Sequence, residues 1–86
     1  MHTVDLLERA LALAARLGYR VRQEWLGGNG GGACEIRGQK WLFIDLAVGP
    51  EEHLAVVLEA LRFDPQALSE VPDPVITQAL GLRKSA

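Results

Sequence analysis

Three side chains in the middle of the chain have the types that catalysis uses: Cys34, Asp45 and His53. A thiolate, a carboxylate and an imidazole are the raw material of a nucleophile, a proton acceptor and a shuttle, and the same trio is a partial set of metal ligands. Their spacing supports neither assembly. Metal sites built from cysteine and histidine show short paired spacings, whereas these three residues stand 11 and 8 positions apart and form no diagnostic spacing. An activated thiolate needs a base or cation next to it and a path to solvent, and no motif joins His53 to Cys34. Ser69 and Ser85 lack a nucleophile elbow. The sequence therefore assigns no catalytic residue, no metal and no cofactor. Cys34 reads as a small buried hydrophobe, Asp45 as a carboxylate bonding the turn that leads to Pro50, and His53 as a packed histidine on a helix flank.

The segment Gly27-Gly28-Asn29-Gly30-Gly31-Gly32 lies just before Cys34. Gly28, Gly30 and Ala33 satisfy a G-x-G-x-x-A spacing, in which backbone N–H groups cradle a pyrophosphate while a helix starts beneath it. Here the next element has the pattern of a strand, and no Lys-Ser or Lys-Thr follows the glycines to make a Walker A loop. The primary expectation is a hairpin loop. The alternative is a small-ligand or anion-binding loop, enzymatic in its strongest form, that uses the amides of Gly28, Asn29, Gly30, Gly31 and Gly32 together with Asp45, Cys34 or His53.

These residues are held by elements that the apolar periodicity outlines. Thr3 is the expected N-cap of a first helix running to Leu17 and stopped at Gly18, with an apolar arc of about 200°. From Tyr19 the period changes to two, giving a strand toward Trp25 and Leu26. Ala33 to Arg37 and Lys40 to Leu46 read as two more strands joined by a Gly38-Gln39 turn, which sets Ile36 opposite Trp41 and Cys34 opposite Phe43. A three-residue loop would instead pair Ile36 with Leu42 and Cys34 with Ile44. In either register the third strand is apolar on both faces, the pattern of a strand covered twice. Gly49-Pro50 opens a second helix whose stripe is Leu54, Val57, Leu58 and Leu61, while Asp64-Pro65 and Asp73-Pro74 start two short ones. Leu82 is expected to fold back onto the last helix, and residues 83–86 to fray. The sum is a single α+β domain over residues 1–86: N-terminal helix, three-stranded antiparallel β-meander, helix, and short C-terminal helices packed on the sheet.

With 86 residues, 49% of them hydrophobic, the core is thin and dimerisation would relieve the shortage. The expected interaction surface is a Leu42, Ile44 and Leu46 row rimmed by Arg20, Arg22 and Arg37, unless the C-terminal helices cover it. The reading that follows is a cytoplasmic protein-interaction module, homodimeric or bound to another protein. A net charge of −2 and the lack of a basic cluster longer than Arg83-Lys84 speak against nucleic acid. So does the expected register, which places the aromatics Trp25, Trp41 and Phe43 and most of the cations on opposite faces of the sheet. A single cysteine fits a reducing compartment, and no apolar run reaches the length of a membrane span.

Overall fold

The computed structural model describes residues 2–69 and 74–81. Its elements are α1 (Thr3–Arg16), β1 (Arg20–Glu24), β2 (Gly32–Ile36), β3 (Gln39–Asp45), α2 (Pro50–Arg62), α3 (Pro65–Ser69) and α4 (Pro74–Ala79). This is the expected α+β composition. The expected meander is not formed. The sheet order is β1-β3-β2, with β3 in the centre, antiparallel to β2 and parallel to β1. The physical reason lies in the strands themselves. The central place goes to the run that is apolar on both sides, Trp41-Leu42-Phe43-Ile44, while Gly32-Ala33-Cys34 has little side chain with which to hold a middle position.

The hairpin between β2 and β3 turns one residue earlier than expected. Arg37 and Gly38 form the two-residue loop, with φ of 51° and 79°, so both central positions are left-handed as a type I′ turn requires. Ile36 consequently pairs with Gln39, Glu35 with Lys40, Cys34 with Trp41 and Ala33 with Leu42, which replaces both registers considered from sequence. On the other side Arg20 lies beside Trp41, Val21 beside Leu42 and Arg22 beside Phe43.

One face of the sheet is packed against helices. Leu42 and Ile44 are buried there with Ala10, Leu13, Ala14 and Leu17 of the first helical segment and Val57 and Leu61 of α2; Ala67, Ile76 and Leu80 extend the cluster. Leu42 and Ile44 are therefore core and not the exposed row expected of them, because the helices supply the apolar cover that a two-layer domain needs. Leu46 follows the end of β3 and stays 47% exposed. The shortest dimension of the fold is 16 Å, the thickness of one helical layer on one sheet. The other side of β3 carries Trp41 and Phe43, both partly exposed, and at its end Asp45, buried under the glycine crossover.

The caps are as expected except the first. Thr3 is already helical, and His2 precedes it with no side-chain cap. Pro50 occupies the first turn of α2 with Glu51 and Glu52, and the Asp64 carboxylate accepts from the Gln66 N–H at 2.8 Å to start α3. Asp73, Leu82 and residues 83–86 lie outside the described residues. No helix among the described residues is long and apolar enough to cross a membrane.

Candidate functional site

The parallel placement of β1 means that the chain must pass from one edge of the sheet to the other over the end of β3. Residues 25–31 make that passage, and Asp45, the last residue of β3, holds it. One carboxylate oxygen of Asp45 accepts from the N–H groups of Leu26 at 3.0 Å and Ala47 at 2.9 Å; the other accepts from Gly28 at 2.8 Å and Gly30 at 3.0 Å. A carboxylate offers about four acceptor positions, and four donors fill them. Asp45 has no exposed surface. Burial alone would raise its pKa, but the N–H bonds from Gly30, Ala47, Leu26 and Gly28 outweigh that and hold the carboxyl below the usual carboxylate range. It is a fixed negative peg with no lone pair left for a substrate proton.

The glycine loop is shaped around this peg. The amides of Gly28 and Gly30 turn inward to it, and Asn29 bonds back to the Leu26 carbonyl through its side-chain amide at 2.8 Å. Gly31 passes so close to β3 that a Cβ there would sit 2.1 Å from the Phe43 carbonyl oxygen, at a φ of 77°. Gly32 has already joined β2 opposite Phe43. The His53 Nε2–H donates to the Asp45 backbone carbonyl at 2.6 Å and so anchors α2 to the same corner. Cys34 is elsewhere. It is exposed, not buried as its type suggested, because it lies on the open face of an edge strand. Its partner Trp41 is four residues from Asp45, about 13 Å along the strand. The three reactive types thus divide into an Asp45–His53 corner, in which the Asp45 carboxylate has its acceptors filled, and a separate surface thiol. Among the described residues, no group of three or more His, Cys, Asp or Glu is placed to hold a metal ion.

A second polar cluster joins the helices to the sheet. The Tyr19 hydroxyl donates to the Asp64 carboxylate at 2.7 Å, and the Lys40 ammonium bonds the same oxygen at 3.0 Å while lying 4.6 Å from the centre of the Tyr19 ring. Burial and then the Asp64 bond push the Tyr19 hydroxyl well above the ordinary tyrosine range. Asp64 is held low: burial would raise it, but the bonds from Tyr19, Lys40 and the Gln66 amide prevail. Beside this cluster lies an open cavity of about 400 Å³ that Cys34 borders together with Glu35, Lys40, Val56, Glu59 and Phe63 among others. Its charged groups are of both signs, and the tyrosine and lysine are committed to Asp64.

The uncovered face has a different character. Trp41 and Phe43 point outward from the central strand, ring centroids 6.2 Å apart and planes within 16°. Arg20, next to Trp41 in the parallel pair, holds its guanidinium 5.7 Å from the centre of the indole. Arg22 is beside Phe43 and bonds Glu24 at 3.3 Å along the edge. Cys34 and Ile36 complete the far side, with Ile36 51% exposed and Arg37 exposed in the adjoining turn. The register expected from sequence places these aromatics and most of the cations on opposite faces, whereas in the structure β1 lies against β3. Side-by-side residues of a parallel pair share a face, so the observed pairing brings the two groups together. The signal available in sequence was the matching alternation of Arg20-x-Arg22 and Trp41-x-Phe43, which becomes informative once β3 is taken as the central strand.

Comparison with protein-family models, with curated proteins and with solved structures returned no match for this chain.

Proposed function

We propose that the chain is a small binding module whose working surface is the uncovered face of the sheet, and that it is not an enzyme built on Cys34, Asp45 or His53. The observation that carries this is the pair of outward aromatic rings on the central strand with Arg20 stacked on one of them. An apolar centre bordered by cations is the composition of an interaction surface. The interaction role expected of Leu42 and Ile44 passes to the opposite side of the same strand. The partner this surface suits has flat or apolar groups to lay on the rings and negative charge to meet Arg20, Arg22 and Arg37. The Asp45 corner, with its acceptors filled and its glycine amides turned inward, serves as the scaffold that keeps β1 beside β3.

The test compares the two faces. The full chain is offered three defined pools, namely a random single-stranded oligonucleotide pool, a displayed random-peptide library, and the chain itself at high concentration. At least one interaction is expected, abolished by Phe43→Ala or Arg20→Glu and insensitive to Glu59→Arg in the cavity. Failure in all three pools, or an interaction that survives the face substitutions and disappears with Glu59→Arg, would overturn the reading.

A further inference from the structure

Resting on the face just assigned, we infer that its occupant is single-stranded nucleic acid, with bases laid on Trp41 and Phe43 and the sugar–phosphate backbone running beside Arg20 and Arg22. Size is the first argument. Three strands spaced about 4.8 Å apart, each some five residues of about 3.3 Å, give a platform of roughly 250 Å². A stable protein–protein interface takes about 800 Å² from each partner, so the platform is too small to hold a second copy or a folded domain by itself. A stretch of about two nucleotides covers it, one base on each ring, because stacking needs only a ring face per base.

Charge is the second argument. The whole chain carries a net charge of −2, yet the cations Arg20, Arg22 and Arg37 are gathered at this face, where the one carboxylate on β1, the half-buried Glu24, is bonded to Arg22. The remaining carboxylate at that end, Asp45, is buried beneath the loop. With the paired Glu24 and the ionised Asp45 both counted against the three arginines, this face keeps an excess of one positive charge, opposite in sign to the net charge of the chain, and so favours a polyanion over the rest of the surface. Arg20 over the indole is also the arrangement in which a guanidinium continues an aromatic stack. A duplex, whose bases already stack on each other, leaves the rings without partners, so a single strand is favoured.

The experiment measures binding of fluorescein-labelled single-stranded octanucleotides, uridine and mixed-sequence RNA and their DNA counterparts, by anisotropy at low ionic strength with the full chain. Binding is expected with a preference for single strand over duplex. Phe43→Ala should weaken it by about 5- to 100-fold, and Phe43→Tyr, which keeps the ring, should restore it. Arg20→Ala should flatten the dependence of log K on log salt by about 0.7, the share of one phosphate contact, while Arg16→Ala on the helical layer leaves the slope unchanged. Cys34, the single cysteine and exposed opposite Trp41, supplies a second readout: bound oligonucleotide should slow its alkylation, and Glu59→Arg in the cavity that Cys34 also borders should leave that protection unchanged. Absence of salt-dependent binding, equal losses for Arg16→Ala and Arg20→Ala, or unchanged alkylation of Cys34 would each overturn the nucleic-acid assignment. If oligonucleotides fail while a peptide or a second copy binds and is released by Phe43→Ala, this inference falls and the binding-module reading stands. If no ligand of any class responds to Phe43→Ala, both fall.

Discussion

Replacing Gly31 by alanine isolates the feature that makes this sheet possible. Two neighbouring glycines of the crossover, Gly30 and Gly31, have left-handed φ of 89° and 77°, so an alanine at either pays a backbone cost of about 1–2 kcal/mol. Only the second meets an obstruction. A Cβ at Gly30 has nothing within 4 Å, whereas at Gly31 it falls 2.1 Å from the Phe43 carbonyl oxygen and 2.9 Å from its carbon. Both are backbone atoms of the central strand, so no rotamer change relieves the overlap. The loop and β3 must part by about 1 Å, and overpacking of that kind costs about 1–3 kcal/mol more. Gly31→Ala should therefore lose about 2–5 kcal/mol against about 1–2 for Gly30→Ala, from a total that for a chain this size is about 4–13 kcal/mol. Urea unfolding followed by circular dichroism reads the difference directly, as a midpoint separation between the two variants of about 1–3 M at a slope near 1 kcal/mol/M. Equal midpoints would refute the close passage of the loop over Phe43.

Other consequences follow from the same geometry. Asp45→Asn puts an NH2 group against two backbone N–H donors whichever way the amide is turned, so amide hydrogen exchange at Leu26, Gly28, Gly30 or Ala47 should accelerate in pairs; unchanged protection at all four would contradict the peg. Asp45 and Asp64 both have folded-state pKa values below their ordinary 3.8, so protons bind the unfolded chain first. Stability should be level between about pH 5 and 7 and fall as the pH drops through 3.8 toward the folded-state values; an acid-insensitive urea midpoint would count against both networks. Ile44→Ala should cost about 2–5 kcal/mol, whereas Leu46→Ala should stay within about 0.5, which thermal melts will separate. Tyr19→Phe removes one bond to a carboxylate that Lys40 still pairs and should cost about 1–2 kcal/mol in the same assay.

Much of the architecture is legible in local chemistry. Proline at the start of each of the three later helices, the i, i+3, i+4, i+7 stripe of Leu54, Val57, Leu58 and Leu61, and the change of period at Tyr19 all specify elements that need no distant partner. Pairing was not legible in the same way. Consecutive strands usually neighbour each other, and this general tendency favoured the meander over a crossover. What defeats it here is a buried carboxylate at the far end of β3 taking four amides from the loop and the following turn, an interaction between residues up to 19 positions apart. The turn was misplaced for a local reason: glycine suits the first central position of one hairpin turn and the second of another, and Arg37 gives no sign that it will accept a φ of 51°. That single shift exchanged Phe43 for Trp41 as the partner of Cys34. The expected face, centred on Leu42 and Ile44, lies on the same strand as Trp41 and Phe43 but on its helical side.

The proposed binding module takes its ligands on the Trp41–Phe43 side of the sheet and uses the glycine crossover as scaffold. Titrating the isotopically labelled chain with a single-stranded octanucleotide and following backbone amide resonances tests both halves at once. Shifts are expected to concentrate at Arg20, Arg22, Cys34, Trp41 and Phe43, with Gly28 and Gly30 still. Movement confined to the glycine amides, or to Glu35, Glu59 and Phe63 around the cavity, would contradict it.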